Sequence, residues 1–289
     1  MDTAVILNRN KGDAGDVAAA LAEAGIDAPI EAVDGNEIRD RAEAAIKAGA
    51  TLVIVGGGDG SVSSAAQAVA GTDATLGILP LGTLNHLARD LGIPPNLKDS
   101  ARLIVSGRAR AIDVAEVNGR TFVNNGAIGL YPLMVVDREA QEYRLGRSKR
   151  LAMLVASLRT LARFHHQRLR LSVDGGDARV DTPLLFVGNN DYRLALPAAG
   201  QRDTLDDGQL CVMVMRKKGV AGFLAAVGRA LLGIARRDDM VRIDGVELLK
   251  VDSDRSTLTL ALDGETLAMK PPLEFRIRPG ALKVIAPPS

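Results

Sequence analysis

Four glycines, an aspartate and a serine stand together at Gly56-Gly57-Gly58-Asp59-Gly60-Ser61. An apolar run, Thr51 to Val55, leads into them, and a run of mostly small residues, Val62 to Ala70, leads out. A strand that breaks into glycines and reopens as a helix is the local form of a phosphate site. Glycines let backbone N–H groups approach oxyanions, and the amino end of the helix adds partial positive charge. Asp59 stands where Mg²⁺ or a substrate hydroxyl would meet those phosphates. The lysine of a Walker loop is absent, so the site is of another kind.

Three further stretches could carry chemistry. Pro80-Leu81-Gly82-Thr83-Leu84-Asn85-His86 follows an apolar run and opens a short helix that Thr83 can cap; the same hydroxyl could meet a phosphate. Leu205-Asp206-Asp207-Gly208 places paired carboxylates in a turn, which suits a hard cation such as Mg²⁺. Asp263-Gly264-Glu265 reads first as a hairpin turn, and it also offers a carboxylate able to take a proton from an acceptor hydroxyl. No Cys/His spacing matches zinc, and no Gly-x-Ser-x-Gly elbow is present.

The elements around these motifs fall into two patterns. Up to about residue 110 apolar strands alternate with helices: strands at Ala4–Leu7, Pro29–Val33, Thr51–Val55 and Thr75–Leu79, helices at Asp16–Ala24, Glu37–Ala48 and Val62–Ala70. That alternation predicts a doubly wound parallel sheet, with ligands outside the carboxyl ends of its strands. From Ala111 onward strand-like segments are separated by Asn-Gly, Asp-Gly and Gly-Gly turns, which predicts a mostly antiparallel β domain. Two amphipathic helices interrupt it, at Lys149–Phe164 and Val220–Ala235. Glu274–Ile285 reads as a strand pair turning at Pro279-Gly280.

The 289 residues are 47% hydrophobic, enough for two domains with their own cores. A net charge of +1 with 3% aromatics gives no nucleic-acid signature. The single cysteine, Cys211, excludes an internal disulfide, and the start of the chain lacks the pattern of a signal peptide, so a cytoplasmic protein is expected. Charge is uneven. Residues 1–59 hold eleven acidic and five basic side chains, whereas 144–170 hold eight basic and 216–237 six, neither with an acid. The basic stretches fall on the two amphipathic helices. Each helix either packs its apolar face on the β domain with its arginines in water, or lies against an anionic membrane surface.

The four motifs in this order resemble the diacylglycerol kinase catalytic-domain family, in particular its soluble bacterial lipid kinases. Phe122-Val123-Asn124-Asn125-Gly126 is similar to the first strand of that family's β domain. The resemblance implies an NAD kinase-like α/β domain over residues 1–112, a β-sandwich domain over 113–275, and a tail, 276–289, that packs back on the first. It implies transfer of the γ-phosphoryl group of ATP to a lipid hydroxyl such as that of diacylglycerol, with ATP and Mg²⁺ required. The proton acceptor falls on Glu265, with Asp263 and Asp59 as further catalytic carboxylates. Nucleotide contacts fall on Asn8, Lys11, Gly57, Gly58, Asp59, Gly60, Ser61, Val62, Ser63, Ser64, Gly82, Thr83 and Asn85. Mg²⁺ falls on Asp207 and main-chain oxygens of Thr204 and Gln209. A lipid substrate implies contact with the inner face of the membrane, and exposed sheet edges would admit a homodimer.

The sequence departs from the family pattern in four places. Asn8-Arg9-Asn10-Lys11-Gly12 replaces Asn-Pro-x-Ser-Gly, Ser63-Ser64 replaces Asn-Glu, and Asn85-His86 replaces Asn-Asp. Asp191-Tyr192-Arg193-Leu194-Ala195-Leu196 replaces a glycine-rich stretch. These leave two other readings open: a kinase for a soluble acceptor, as in NAD kinases, and a non-catalytic nucleotide-binding regulatory protein.

Overall fold

The structure is a computed structural model that describes residues 2–129, 166–173, 175–193, 200–216, 219–234, 236 and 238–288. The helix expected at Lys149–Phe164 and residues Leu194, Ala195 and Leu196 lie outside the described residues.

The first hundred residues alternate as expected: β1 Thr3–Asn8, α1 Ala14–Glu23, β2 Ile30–Val33, α2 Ile38–Lys47, β3 Leu52–Gly57, α3 Asp59–Val69, β4 Thr75–Pro80, α4 His86–Asp90 and α5 Leu97–Ser106. Strands order as β2-β1-β3-β4, each pair parallel. Both faces are covered, so successive side chains of a strand enter different cores. Val5, Leu7 and Ile54 join α1 and α5, while Ile6, Val53 and Val55 join α2 and α3. Helix α3 starts at Asp59, three residues before its expected start, so the last glycine of the motif, Gly60, is already in its first turn.

The remaining strands are β5 Arg108–Val117, β6 Arg120–Phe122, β7 Asn125–Gly129, β8 Gln167–Val173, β9 Gly176–Thr182, β10 Leu184–Asn189, β11 Leu210–Met215, β12 Met240–Val246, β13 Leu248–Asp252, β14 Leu258–Leu262, β15 Glu265–Met269 and β16 Leu273–Ala286, with α6 at Val220–Leu231. Six of them form an antiparallel sheet ordered β12-β11-β10-β7-β14-β15. Among the described residues the other sheet has ten strands, because β16 joins the parallel sheet through β4 and continues to β13, β8 and β9. Phe122 and Phe275 meet edge to face at 6.3 Å in the core between the two sheets.

The tail is not a strand pair. β16 runs through Pro279-Gly280 as one strand, antiparallel to β5 from Phe275–Val117 to Ala286–Arg108, with a register shift between Arg278 and Leu282. Gly280, at φ 61°, absorbs the shift, and its N–H donates to Asp113 Oδ1 at 2.8 Å. A bulge therefore replaces the expected turn. Asp113 is 2% exposed, and its other oxygen accepts from Gly208 N–H at 2.7 Å. The expected domain borders at 112 and 275 fall inside β5 and β16, the two strands that serve both halves. Asp113→Ala would leave two backbone donors without their acceptor, and is expected to lower unfolding free energy by about 2–4 kcal/mol in urea denaturation.

Candidate functional site

Gly58 is the N-cap of α3 in an extended conformation, and no cap side chain bonds the first turn. The amino end of this eleven-residue helix thus opens at the carboxyl edge of the parallel sheet, beside Gly60, which is exposed. Asn8, at the end of β1, donates from Nδ2 to Ser61 Oγ at 2.9 Å and fixes that hydroxyl. Val62 is 5% exposed and faces the core, and Ser64 is half-buried. Lys11 is exposed in the neighbouring loop.

The second glycine turn lies against the first. A Cβ on Gly82 would come 2.6 Å from Gly58 Cα, so neither turn could stay in place with a larger residue there. Asn85, at φ 48°, closes the Gly82 turn by accepting from Gly82 N–H at 3.0 Å and donating to its carbonyl at 2.9 Å. Thr83 is exposed and does not cap α4. The cap comes from Asp59, whose oxygens accept from His86 N–H at 2.6 Å and Asn85 N–H at 3.0 Å. A carboxylate outcompetes a hydroxyl for two N–H groups at a helix start, and here it also ties the two turns together.

The β domain supplies the opposite wall. Asp263 and Gly264, at φ 48° and 88°, form the two-residue turn between β14 and β15. The Asp263 carboxylate accepts from Ser63 Oγ at 2.5 Å, Val123 N–H at 2.9 Å, Asn124 N–H at 2.7 Å and Asn125 N–H at 3.1 Å. Burial pushes its pKa above the usual carboxylate range, opposed by those four donors, Ser63 first. Two residues on, Glu265 is exposed at the head of β15, and its Oε1 lies 4.0 Å from where a Cβ on Gly60 would be. The hairpin therefore holds one carboxylate as a clamp and presents the next across the cleft to the amino end of α3.

Beside the clamp lies an apolar cavity of 330 Å³ between the six-stranded sheet and α6, lined by His86, Asn125, Phe186, Met213, Val227 and Leu231 among others. Arg202 anchors this region. Its side chain is fully buried, pairs with Asp90 at 2.8 Å, and donates to the Val123 carbonyl at 2.6 Å and Asn124 Oδ1 at 3.2 Å. Tyr192 lies 5.5 Å beneath the guanidinium and edge-on to Phe186 at 5.4 Å; burial pushes its phenol up to about 12.

Thr204, Asp207 and Gln209 are not part of this cleft. Asp113 binds the N–H groups of both Gly208 and Gly280, and β16 aligns Lys283 with Thr75. Their loop thus lies at the amino end of β4, a strand length of about 20 Å from the glycine turns. Thr204 Oγ1 donates to Asp207 Oδ2, Asn190 N–H to the Gln209 carbonyl at 3.0 Å, and Asp207 N–H to Asn190 Oδ1 at 3.1 Å. Asp206 points elsewhere and pairs with Arg110. Among the described residues no three His, Cys, Asp or Glu side chains cluster for a metal. One exposed carboxylate with carbonyl oxygens fits a hard cation that keeps several waters.

Comparison with known proteins gives the same two halves. Residues 3–117 match the diacylglycerol kinase catalytic domain, and 134–286 match the YegS C-terminal NAD kinase beta sandwich-like domain. A probable YegS-like lipid kinase of Pseudomonas aeruginosa is 31% identical over 281 residues, covering 93% of this chain and 88% of its own. The chain belongs to the YegS-like lipid kinases of the diacylglycerol kinase family. The diacylglycerol kinase of Bacillus subtilis is 28% identical, over 76% of this chain and 73% of its own. A diacylglycerol kinase crystal structure from Bacillus anthracis shares the fold, with TM-score 0.72 at 22% identity over 99% of this chain and 97% of that one.

Within this YegS-like chain the departure at Ser63 has a use, since its hydroxyl is the bond from α3 to the Asp263 clamp. Three residues that hold the structure around the site escape the motifs. Asp113 announces itself only as a charge inside the apolar run Ala111 to Val117, while Asp90 and Arg202 carry no pattern that links them across 112 positions. Two substitutions probe the arrangement. Gly82→Ala should weaken ATP binding at least about tenfold by calorimetry, because the turns must separate. Arg202→Met leaves Asp90 buried without its partner and should cost about 3–5 kcal/mol in urea denaturation.

Proposed function

We propose that the protein transfers the γ-phosphoryl group of ATP to the hydroxyl of a lipid whose acyl chain occupies the cavity beneath α6, with Glu265 as proton acceptor. The observation that carries this is the Glu265 carboxylate facing the amino end of α3 across one cleft, with the apolar cavity adjoining. Backbone N–H groups of the first turn of α3 and its dipole bind the phosphates. Lys11 and Thr83 flank the two turns from solvent and reach the same anion. Glu265 accepts the hydroxyl proton as the acceptor oxygen bonds to the γ-phosphorus and the bond to ADP breaks. Asp59 and Asp263 act by positioning: each holds backbone N–H groups, one between the glycine turns and one between the domains. Asp207, with main-chain oxygens of Thr204 and Gln209, would hold Mg²⁺, which there stiffens the loop that meets the bulge of β16.

The apolar cavity favours a lipid over a soluble acceptor. Exposed apolar side chains gather on α6 and beyond it, with Leu224 at 49%, Leu232 at 72% and Ile234 at 60%, and Leu84 on the Gly82 turn at 61%. Arg229 on the same helix is tied to Asp239. Contact with a bilayer through α6 is therefore apolar insertion more than attraction of its arginine to headgroups. Among the described residues no helix is long and apolar enough to cross a membrane.

Glu265→Gln should lower turnover at least about a thousandfold in a radiolabelled ATP assay on diacylglycerol micelles, with ATP affinity unchanged; turnover like the wild type would remove Glu265 from its role. Leu224→Glu with Leu232→Glu should reduce flotation with liposomes while sparing ATP binding.

A further inference from the structure

The two walls of the apolar cavity are held differently. The six-stranded sheet contributes Phe186, Met213 and Met240, and Met213 is 3% exposed within β11, which pairs with both β10 and β12. Helix α6 contributes Val227, Ala230 and Leu231, yet of its twelve residues only Ala226 is buried. Asp263 and Arg202 tie the halves of the molecule together beside the cavity, so the wall that can yield is α6. Both ends of this helix suit a pivot. Gly219, its N-cap, has φ 82°, and Gly233, just beyond its last turn, has φ 74°. A Cβ on Gly219 would meet nothing within 4 Å, so glycine serves the backbone there and not close packing.

A buried ion pair fastens the helix between these pivots. Arg229 donates from Nε to Asp239 Oδ2 at 2.7 Å and from Nη2 to Oδ1. Asp239 is fully buried and belongs to the sheet side: its carbonyl accepts from Arg216 N–H at 2.8 Å, next to the end of β11, and its carboxylate from Arg236 N–H at 3.1 Å. The Arg229 side chain is 24% exposed, so water can receive the guanidinium when it lets go. Phosphoryl transfer makes no use of this pair.

We infer that α6 is a gate over the lipid cavity, latched in water by the Arg229–Asp239 pair and released when its outer side enters a bilayer, so that lipid is admitted at the membrane and not in solution. This rests on the lipid-kinase reading above. Two opposing effects set the gate. Release leaves the buried Asp239 carboxylate without its guanidinium, which holds α6 down in water. Insertion of the exposed Leu224, Leu232 and Ile234 takes apolar surface out of water, and only a bilayer offers that gain. A helix with one buried residue has little packing of its own to lose when it swings.

Met213→Cys and Val246→Cys, each combined with Cys211→Ala, report the opening, because Met213 lies under α6 and Val246 is buried between the two sheets. Maleimide labelling of Met213→Cys should accelerate at least about fivefold on addition of dioleoylphosphatidylcholine vesicles, and about as much without vesicles when Arg229→Gln is added, while Val246→Cys stays slow throughout. Turnover of dihexanoylglycerol below its aggregation limit should rise about tenfold with the same vesicles in the wild type, and less than about twofold in Arg229→Gln, which starts high. Met213→Cys labelling or wild-type turnover indifferent to vesicles would overturn the gate and leave the kinase reading standing. So would equal acceleration at Val246→Cys in the Arg229→Gln protein, the mark of general loosening. Vesicle-dependent labelling without phosphate transfer to any lipid, by a protein that binds ATP, would support the gate and overturn the kinase reading.

Discussion

The carboxylate of Asp263 accepts a hydroxyl from α3 and three backbone N–H groups from the stretch that enters β7, and the rest of the site is arranged around that junction. Taking a carboxylate out of water is costly, and Asp263 bears that cost only because donors converge on it from both halves of the molecule. Remove the clamp and the hairpin that carries Glu265 has no fixed position relative to the glycine turns. Two residues separate a carboxylate that builds the cleft from one that faces into it.

The same economy recurs around the cleft. Asp59 joins the two glycine turns, Asp113 joins the bulge of β16 to the Gly208 loop, and Asp90 meets Arg202 between α4 and the β domain. Each is an acid that gathers backbone or guanidinium donors from segments far apart in sequence. Such polar junctions specify one docking of two cores, where apolar contact alone would tolerate several. The apolar surface is kept for the cavity and for the outer side of α6, where a lipid would meet it.

Local chemistry made much of this legible beforehand. Alternating apolar strands and helices defined the parallel sheet, the glycines marked both turns at its carboxyl edge, and Asp263-Gly264 marked a hairpin that is also the clamp. What could not be read were interactions whose partners lie far away in the chain. Thr83 looked like a cap because the helix was expected to open directly after it, yet α4 starts at His86 and Asp59 caps it from 27 positions upstream. Pro279-Gly280 looked like a turn because nothing local revealed Asp113 waiting opposite. The cavity escaped because it belongs to a sheet face and a helix that meet only in three dimensions.

The position of β16 also governs how the molecule can be made. Lys283 pairs with Thr75 across about two hundred residues of chain, so the edge of β4 has no strand beside it while the ribosome synthesises everything between. The amino-terminal half cannot finish its sheet when its own residues have emerged, as independent domains commonly do. Until the last strand arrives, an apolar parallel sheet presents an open edge, the surface on which other chains add strands. The nascent protein therefore depends on shielding of that edge through most of its synthesis, and a chain truncated before β16 would be an aggregation hazard rather than a smaller kinase.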